Sequence, residues 1–155
     1  MIKLIVALDP NNLIGKGDQM PWKIAEEFKH FKTTTLTHSL LFGRNTFLGL
    51  PAKLENRTIY VLSKERVPRA DYTLKTEQEL FSLFAQFKNY DFNTLFIAGG
   101  KTIYEKYYKF ADELIISRVK KAYEGDVYLN LDLSHYSLTK VVDYSEFAVE
   151  YYTKK

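Results

Sequence analysis

The sequence predicts one α/β domain built on a mixed, mainly parallel sheet with an antiparallel hairpin at its edge. Three observations lead to this prediction. Short runs of Val, Ile, Leu and Phe recur along the chain, as in strands that are covered on both faces. Segments with helical spacing separate several of these runs, which is typical of parallel strands joined by crossovers. The last two segments instead begin to alternate polar and apolar residues and follow each other closely, which indicates an antiparallel pair.

Length, composition and charge exclude several classes of protein. The chain has 155 residues, enough for one well-buried core and too few for two comfortable domains, so we expect one domain over residues 1–155. Hydrophobic residues make up 46% of it and charged residues 26%, which indicates a folded globule. The formal net charge of +3 is scattered along the chain. We therefore expect no nucleic-acid-binding arm and no membrane-binding patch.

Cysteine and histidine usage argues against metal sites and disulfides. The chain has no cysteine, which excludes disulfides and thiolate metal ligands and favours a reducing compartment. Its three histidines are far apart and show no metal-ligand spacing. No apolar run is long enough to span a bilayer or to form a secretory signal. We expect a cytoplasmic protein without a metal.

The first strand is predicted over residues 2–8, where nearly continuous Ile, Leu and Val indicate a central place in the sheet. Turn residues 9–12 end this strand. A polar approach then leads to a helix, which we expect to begin at Pro21 because proline suits the first helical turn. A loop between a central strand and the first helix is where open sheets bind ligands.

Glu27 interrupts the apolar face of this first helix. Ile24, Phe28, Phe31 and Thr35 form one stripe at helical spacing, and Glu27 falls inside it. A carboxylate on an apolar surface needs a polar partner or a raised pKa. Two interpretations remain open from the helix alone. The side chain either lies at the edge of the stripe and reaches water, or it lies at the bottom of a cleft and pairs with a cationic or amidine-like ligand beside the only tryptophan.

The remaining strands are predicted from apolar runs and, at the end of the chain, from alternation. Five further strands precede the tail, at residues 39–43, 58–63, 72–74, 94–98 and 114–119. Residues 120–130 are predicted to form a loop. The tail is predicted to form two antiparallel strands, at residues 137–143 and 147–153.

Three further helical segments are predicted between these strands. Short segments are expected from residue 44 to about residue 50 and from about residue 103 to residue 108. Between them, Thr76 and Glu79 have the spacing of a capping box and predict the start of a longer helix. We expect its apolar residues to lie in the core: Leu80, Phe81, Leu83, Phe84 and Phe87.

Several strand ends have the chemistry of a phosphate site. Arg44 and Lys64 follow two successive strands, so they either bind one phosphate together or lie as solvated loop charges. Gly99 and Gly100 come between a strand and a helix and present bare backbone N–H groups to an anion. A P-loop would need a glycine where Leu95 stands, and the G-x-G-x-x-G fingerprint is absent. A phosphate ligand held in another arrangement remains possible.

Five segments in register together resemble dihydrofolate reductases of the bacterial type. They are residues 7–15, Met20-Pro21-Trp22 with the acid at position 27, residues 42–47, Arg57, and residues 97–104. The resemblance covers essentially the whole chain and implies an eight-stranded, mainly parallel sheet with four helices. It also implies hydride transfer from nicotinamide C4 of NADPH to C6 of dihydrofolate, with protonation of N5, in support of one-carbon metabolism and nucleotide synthesis.

The resemblance assigns catalytic roles to four residues. Glu27 would pair with N3 and the 2-amino group of the pterin and favour protonation of N5 electrostatically. Trp22 would orient a water near Glu27, and Met20 would lie in a loop that closes over the nicotinamide. Tyr104 would line the nicotinamide. By the same resemblance, Asp126 belongs to a loop that steadies the Met20 loop.

The substrate and cofactor sites implied by the resemblance cover many positions. Arg57 would bind the α-carboxylate of the folate glutamate, and Ser117 would support the carboxylate of Glu27. The substrate site comprises Ile5, Val6, Glu27, Phe28, Phe31, Leu50, Leu54, Arg57, Ala98 and Ser117. Arg44, Ser63 and Lys64 would surround the 2′-phosphate and favour NADPH over NADH. The cofactor site comprises Ala7, Ile14, Gly15, Gly43, Arg44, Asn45, Thr46, Leu62, Ser63, Lys64, Ala98, Gly99, Gly100, Lys101, Thr102, Ile103 and Tyr104.

Two other functions remain as alternatives to an NADPH-dependent oxidoreductase. One is a nucleotide phosphotransferase or hydrolase that uses Gly100, Lys101 and Thr102. The other is a pterin-binding or nucleotide-binding module without catalysis. For the leading interpretation we expect dihydrofolate and antifolate inhibitors as small-molecule partners and a monomeric protein, since no exposed apolar stripe stands out in the sequence.

Overall fold

The computed structural model describes residues 1–17, 19–51, 54–90 and 92–155. Its strands are β1 (Ile2–Leu8), β2 (Leu13–Gly15), β3 (Ser39–Gly43), β4 (Thr58–Leu62), β5 (Tyr72–Leu74), β6 (Leu95–Ile97), β7 (Glu113–Val119), β8 (Val127–Tyr128), β9 (Tyr136–Asp143) and β10 (Phe147–Lys154). Its helices are α1 (Ala25–Thr35), α2 (Arg44–Leu48), α3 (Glu77–Lys88) and α4 (Lys101–Tyr107), and a 3-10 turn, Tyr108–Phe110, follows α4. None of these helices is long and apolar enough to cross a membrane.

Eight of the strands form one mixed sheet in the order β5-β4-β3-β6-β1-β7-β10-β9. The first six strands in this order run parallel, and β10 pairs antiparallel with both β7 and β9. The predicted mixed sheet and terminal hairpin are therefore confirmed. Leu4 of β1 lies opposite Ile97 of β6 and Leu114 of β7, so β1 is central, as its unbroken apolar run predicts.

Side chains of β1 alternate between two cores, one on each face of the sheet. Leu4 and Val6 pack into the core covered by α3 and α4. Ile5 and Ala7 pack into the core on the opposite face, which also contains Trp22. This alternation is the two-residue period of an extended strand. One strand is thus shared by both cores, and its carboxyl end lies between them.

Helix α1 begins four residues later than the sequence predicts. Trp22 and Ile24 are each 2% exposed, and an extended backbone places residues two apart on the same side. Burial of both side chains therefore keeps residues 21–24 out of the helix and overrides the preference of Pro21 for a first turn. The helical hydrogen bonds start at the Ile24 carbonyl, which accepts the N–H groups of Glu27 and Phe28.

Helix α3 follows its capping signal, with one correction. Thr76 Oγ1 accepts the N–H of Glu79 at 3.1 Å, and the Glu79 carboxylate accepts the N–H of Lys75 at 2.8 Å. The prediction that Phe81 lies in the core is wrong. Its side chain is 41% exposed and stacks on Phe110, with ring centroids 5.5 Å apart.

The small sheet formed by β2 and β8 is absent from the sequence prediction, which has a loop at the position of β8. Leu13 pairs with Tyr128 and Gly15 pairs with Val127. Strands of two or three residues carry no readable period, and their pairing depends on segments more than one hundred residues apart. This small sheet ties the segment after β1 to the segment after β7.

Candidate active site

The candidate cleft is the region at the carboxyl ends of β3, β6 and β1, which are neighbouring strands of the sheet. The Gly43 N–H, at the end of β3, donates to the Gly99 carbonyl at 2.7 Å. A Cβ atom on Gly100 would lie 2.6 Å from Thr46 Oγ1, and one on Gly43 would lie 3.2 Å from Ile103. The Gly99–Gly100 peptide bond is cis. Glycine at positions 43 and 100 therefore lets the β3–α2 and β6–α4 segments approach each other closely at this edge of the sheet.

Glu27 lies inside the protein at one side of this cleft. Its side chain is 6% exposed, which excludes the interpretation that it reaches bulk water from the edge of α1. Burial raises the pKa of Glu27 from 4.5 to about 7, and the neighbouring Ser117 hydroxyl of β7 opposes part of this rise. The structure thus places the carboxyl group of Glu27 beside the hydroxyl of Ser117, as the family resemblance implies.

Tyr104 closes the cleft from the side of α4. Its hydroxyl donates to the Ile5 carbonyl of β1 at 2.7 Å. A Cβ atom on Gly99 would lie 3.4 Å from the same hydroxyl. Burial first, and then the charge of Glu27, raise the pKa of Tyr104, so its hydroxyl stays protonated. A polar tyrosine hydroxyl, a buried carboxyl group and the glycine pair therefore face one small region.

Trp22 forms a further wall of the site. It is 2% exposed, and its ring meets the edge of Tyr123 with centroids 5.6 Å apart. Its Nε1 atom is buried without a hydrogen-bond partner among the described residues. A buried indole N–H normally has a partner, so this donor is available to a water or ligand oxygen. Met20, two residues earlier, is 47% exposed.

The predicted apolar walls lie on the Trp22 face of the sheet, with one exception. Ile5 and Ala98 are buried there, and Phe31, Leu50 and Leu54 are partly buried against the same core. Phe28 of α1 is also partly buried. The side chain of Val6 lies in the core on the opposite face, so only its backbone is available to a ligand in the cleft.

Arg57 precedes β4, and three acceptors hold its guanidinium group. Its Nε donates to Thr35 Oγ1 at 2.9 Å, and its terminal nitrogens donate to the carbonyls of Glu55 and Lys32. It borders a cavity of about 380 Å³ that Leu54 also lines. A guanidinium group fixed in this way presents its remaining N–H donors at a defined place for a carboxylate.

The predicted cofactor residues gather along the neighbouring strand ends. Gly43 pairs with Leu62 in the parallel register of β3 and β4, so Arg44 and Lys64 project from the same edge of the sheet. Both are exposed, and neither forms a salt bridge in the part of the chain that the structure describes. Ser63, directly before Lys64 in the chain, is buried. Two exposed cations at one edge of the sheet suit a ligand with phosphate groups.

The other predicted cofactor positions divide between the helix start and the β1–β2 segment. Lys101 and Thr102 open α4 directly after the glycine pair. Asn45 and Thr46 lie in the first turn of α2. Leu62, Ile103 and Ile14 pack against the core that contains Tyr104. Leu95 lies inside β6, completely buried, so no loop of P-loop length precedes Lys101.

Asp126 joins the segment after β7 to the segment that leads to Met20. Its carboxylate accepts the Gly17 N–H at 2.8 Å, and its own N–H donates to the Gly15 carbonyl at 3.1 Å. A Cβ atom on Gly125 would lie 2.5 Å from the Gly15 carbonyl oxygen, so glycine is required for this approach.

The sequence analysis missed Tyr123, the neighbour of Trp22, because one aromatic residue in a loop carries no periodic signal.

Among the described residues, no group of three or more His, Cys, Asp or Glu side chains comes close enough together to hold a metal ion. The donors of the cleft are instead backbone N–H groups, the Trp22 indole N–H and the Tyr104 hydroxyl. Such groups suit an organic ligand with phosphates and a polar heterocycle.

Comparisons with known proteins identify the family and the fold. A family model described as dihydrofolate reductase matches residues 1–153. A dihydrofolate reductase of Mycoplasma genitalium is 41% identical over 158 residues, which cover 100% of this chain and 99% of that protein. A protein of Mycoplasmoides gallisepticum named segregation and condensation protein A is 40% identical over 159 residues, covering 100% of this chain and 26% of that longer protein.

One solved structure, a dihydrofolate reductase from Enterococcus faecalis complexed with NADP(H) and RAB-propyl, shows the same fold. It superposes with a TM-score of 0.89 over 99% of this chain and 96% of its own, at 23% sequence identity. The predicted architecture of an eight-stranded sheet with four helices and a terminal hairpin is thereby confirmed.

Proposed function

Since the chain belongs to the dihydrofolate reductase family, whose members reduce dihydrofolate to tetrahydrofolate with NADPH, we propose that Glu27 anchors the substrate and promotes its protonation. The observation that carries this proposal is the burial of Glu27, which is 6% exposed and has a pKa of about 7. A carboxyl group in this position gains far more from a ligand N–H than it would at the surface.

The proposed substrate pose follows from the groups around Glu27. The carboxylate accepts N–H groups from N3 and the 2-amino group of the pterin, and the Ser117 hydroxyl supports it from β7. The negative charge of Glu27, in an apolar cleft, stabilises the positive charge that develops when N5 takes its proton. Glu27 does this without contact to N5, and water is the proton donor.

The Trp22 and Tyr104 donors complete the proposed pterin site. The unpartnered Trp22 Nε1 holds a water between the indole and the pterin, which places a proton source beside Glu27. The Tyr104 hydroxyl is fixed on the Ile5 carbonyl and borders the reacting edge of the ring. Met20 covers this edge and excludes bulk solvent.

The residues at the strand ends fit the cofactor. The backbone N–H groups of Gly99 and Gly100 come directly before α4 and bind the pyrophosphate, with Thr46, Lys101 and Thr102 beside them. Arg44, Ser63 and Lys64 bind the adenosine 2′-phosphate and select NADPH over NADH. Ala7, Ile14 and Tyr104 line the nicotinamide. When bound, NADPH supplies the hydride that reaches pterin C6.

Arg57 and the walls beside it hold the remainder of the substrate. The Arg57 guanidinium binds the α-carboxylate of the glutamate, and Phe31, Leu50 and Leu54 pack on the aminobenzoyl ring. The same carboxyl group of Glu27 would pair with the amidine-like edge of antifolate inhibitors. Both ligand classes thus use one anchor.

Cellular context and assembly form a separate part of the proposal. We propose that the chain acts in the cytoplasm, as one domain over residues 1–155 and as a monomer. Exposed aromatic side chains do occur near the end of α3, with Tyr90 48% and Phe92 89% exposed. Sedimentation of the wild type and a Phe92→Ser variant tests the monomer, and a dimer that the substitution dissociates would refute it.

A substitution at Glu27 tests the catalytic proposal. Glu27→Gln keeps the shape but removes the charge, and we expect turnover to fall by about a hundredfold or more, with a milder effect on NADPH binding. The assay follows NADPH oxidation by its near-ultraviolet absorbance with dihydrofolate, alongside controls without protein or without folate. Glu26→Gln is the matched control, because Glu26 is exposed on the same turn of α1. Wild-type turnover in Glu27→Gln would refute the role.

A further inference from the structure

Asp9, directly after β1, is a buried acid that the roles above do not use. It is 1% exposed. Its Oδ1 accepts the N–H groups of Asn11 at 2.8 Å and Leu13 at 2.9 Å. Its Oδ2 accepts the N–H of Tyr123 at 3.0 Å. One carboxyl group therefore joins two backbone segments that are 114 positions apart in the chain.

The two segments that Asp9 joins are the ones that flank the proposed active site. The first runs through β2 toward Met20, and the second runs from β7 to β8. Asp126 joins the same segments at their outer end, through Gly17. Asp9 joins them at the inner end, next to the sheet. The junction thus has one carboxyl group at each end and the β2–β8 pairing between them.

The inner end of this junction is in contact with Trp22. The Tyr123 ring, whose backbone Asp9 holds, meets the Trp22 ring with an interplanar angle of 62°. Trp22 Nε1 has no hydrogen-bond partner among the described residues, so packing sets the direction of the indole. Tyr123 is an aromatic member of that packing.

We propose that Asp9 is a positioning residue for the reduction of dihydrofolate, which holds Tyr123 against Trp22 and thereby orients the indole beside Glu27. The proposal rests on the function proposed above for Trp22 and Glu27. Asp9 itself touches neither substrate nor cofactor in this scheme. Its effect on the reaction passes through the Tyr123 backbone and ring.

An Asp9→Asn variant tests the link directly. Asparagine keeps the size of the side chain but has one acceptor oxygen, so it cannot accept N–H groups from both segments. We expect Trp22 emission to shift to longer wavelength and its quenching by acrylamide to rise. Trp22 is the only tryptophan, so this signal has one source. We also expect the single-turnover rate of dihydrofolate reduction to fall about tenfold, with a smaller change in KM.

Asp132→Asn is the matched control, since it makes the same chemical change in an exposed turn. There Asp132 Oδ1 accepts the Ser134 N–H at 3.0 Å, away from the cleft. We expect this variant to keep the wild-type emission and rate. A tenfold loss in this control would overturn the proposal, because removal of any backbone-bonded carboxylate would then have the same effect.

A Tyr123→Ala variant separates positioning from folding. It keeps the N–H that Asp9 accepts but removes the ring that contacts Trp22, so we expect a similar loss of rate. The Asp9→Asn and Tyr123→Ala double variant should lose no more than either single variant. Multiplied losses would overturn the proposal, and so would unchanged emission in Asp9→Asn or a folded Tyr123→Ala with the wild-type rate.

Two further outcomes have a defined meaning. If Asp9→Asn fails to fold, the rate and emission of Tyr123→Ala decide the proposal alone. If the wild type oxidises no NADPH in the presence of dihydrofolate, the proposed function fails. The emission comparison then still decides whether Asp9 orients Trp22.

Discussion

Glu26 and Glu27 are neighbours in the chain with opposite surroundings, and the helical period alone separates them. Glu26 is exposed, whereas Glu27 is 6% exposed and has a pKa of about 7. The sequence reveals the misfit, because Glu27 falls inside an apolar stripe. It does not reveal the depth of burial, which depends on β7 and on residues 21–24 packing against the start of α1.

The raised pKa of Glu27 predicts a specific dependence of stability on pH. Between pH 4.5 and about pH 7 the native state holds a proton that the unfolded state has lost, so stability falls as pH rises through this window. We expect the ligand-free wild type to lose about 3 kcal/mol more than Glu27→Gln between about pH 5 and about pH 8. Urea unfolding at both pH values measures the difference. Parallel changes in the two proteins would contradict the prediction.

At the scale of elements, the apolar runs and the alternation in the tail predict the eight strands of the main sheet to within one residue at each end. The predicted start of α1 at Pro21 was wrong. The preference of proline for a first helical turn competes there with the burial of Trp22 and Ile24, and burial dominates. The pairing of β2 with β8 was missed because it depends on a contact between distant, very short segments. The periodicity of the sequence reveals local secondary structure only. It cannot reveal the loops around this site, because hydrogen bonds between distant segments hold them.

The paired ends of β3 and β4 predict cofactor preference. Lys64→Met removes one of two exposed cations at this edge, and we expect NADPH binding to weaken by about tenfold or more, while NADH binding changes little. Fluorescence titration with each cofactor measures both constants. Lys88→Met at the end of α3 is the control for net charge. Equal weakening for NADPH and NADH would show that Lys64 does not contact the 2′-phosphate.

At the scale of the whole molecule, β1 contributes side chains to both cores, which lie on opposite faces of the sheet. Leu4 is completely buried in one core, while Trp22 is buried in the other. The resemblance to dihydrofolate reductases predicted the architecture because its five segments are spread over the whole chain. Composition and length alone indicated a folded globule of one domain, without identifying its fold or its ligand.

This shared strand predicts that the two cores unfold together. Leu4→Ala leaves a cavity at the centre of β1, and we expect it to lower the free energy of unfolding by about 2–5 kcal/mol. Far-ultraviolet circular dichroism reports the sheet, and Trp22 emission reports the opposite core. We expect one common urea midpoint for both signals in the variant. A Trp22 transition that stays at the wild-type midpoint would show that the cores are independent.

Positions around the cleft differ in how well they tolerate substitution. Gly43 and Gly100 face Ile103 and Thr46 of the protein itself, so a larger residue there disturbs the fold before it disturbs a ligand. Leu50 and Leu54 are only partly buried, and other side chains can replace them at little cost. Selection for escape from an inhibitor should therefore collect substitutions on the substrate walls and leave the glycines unchanged.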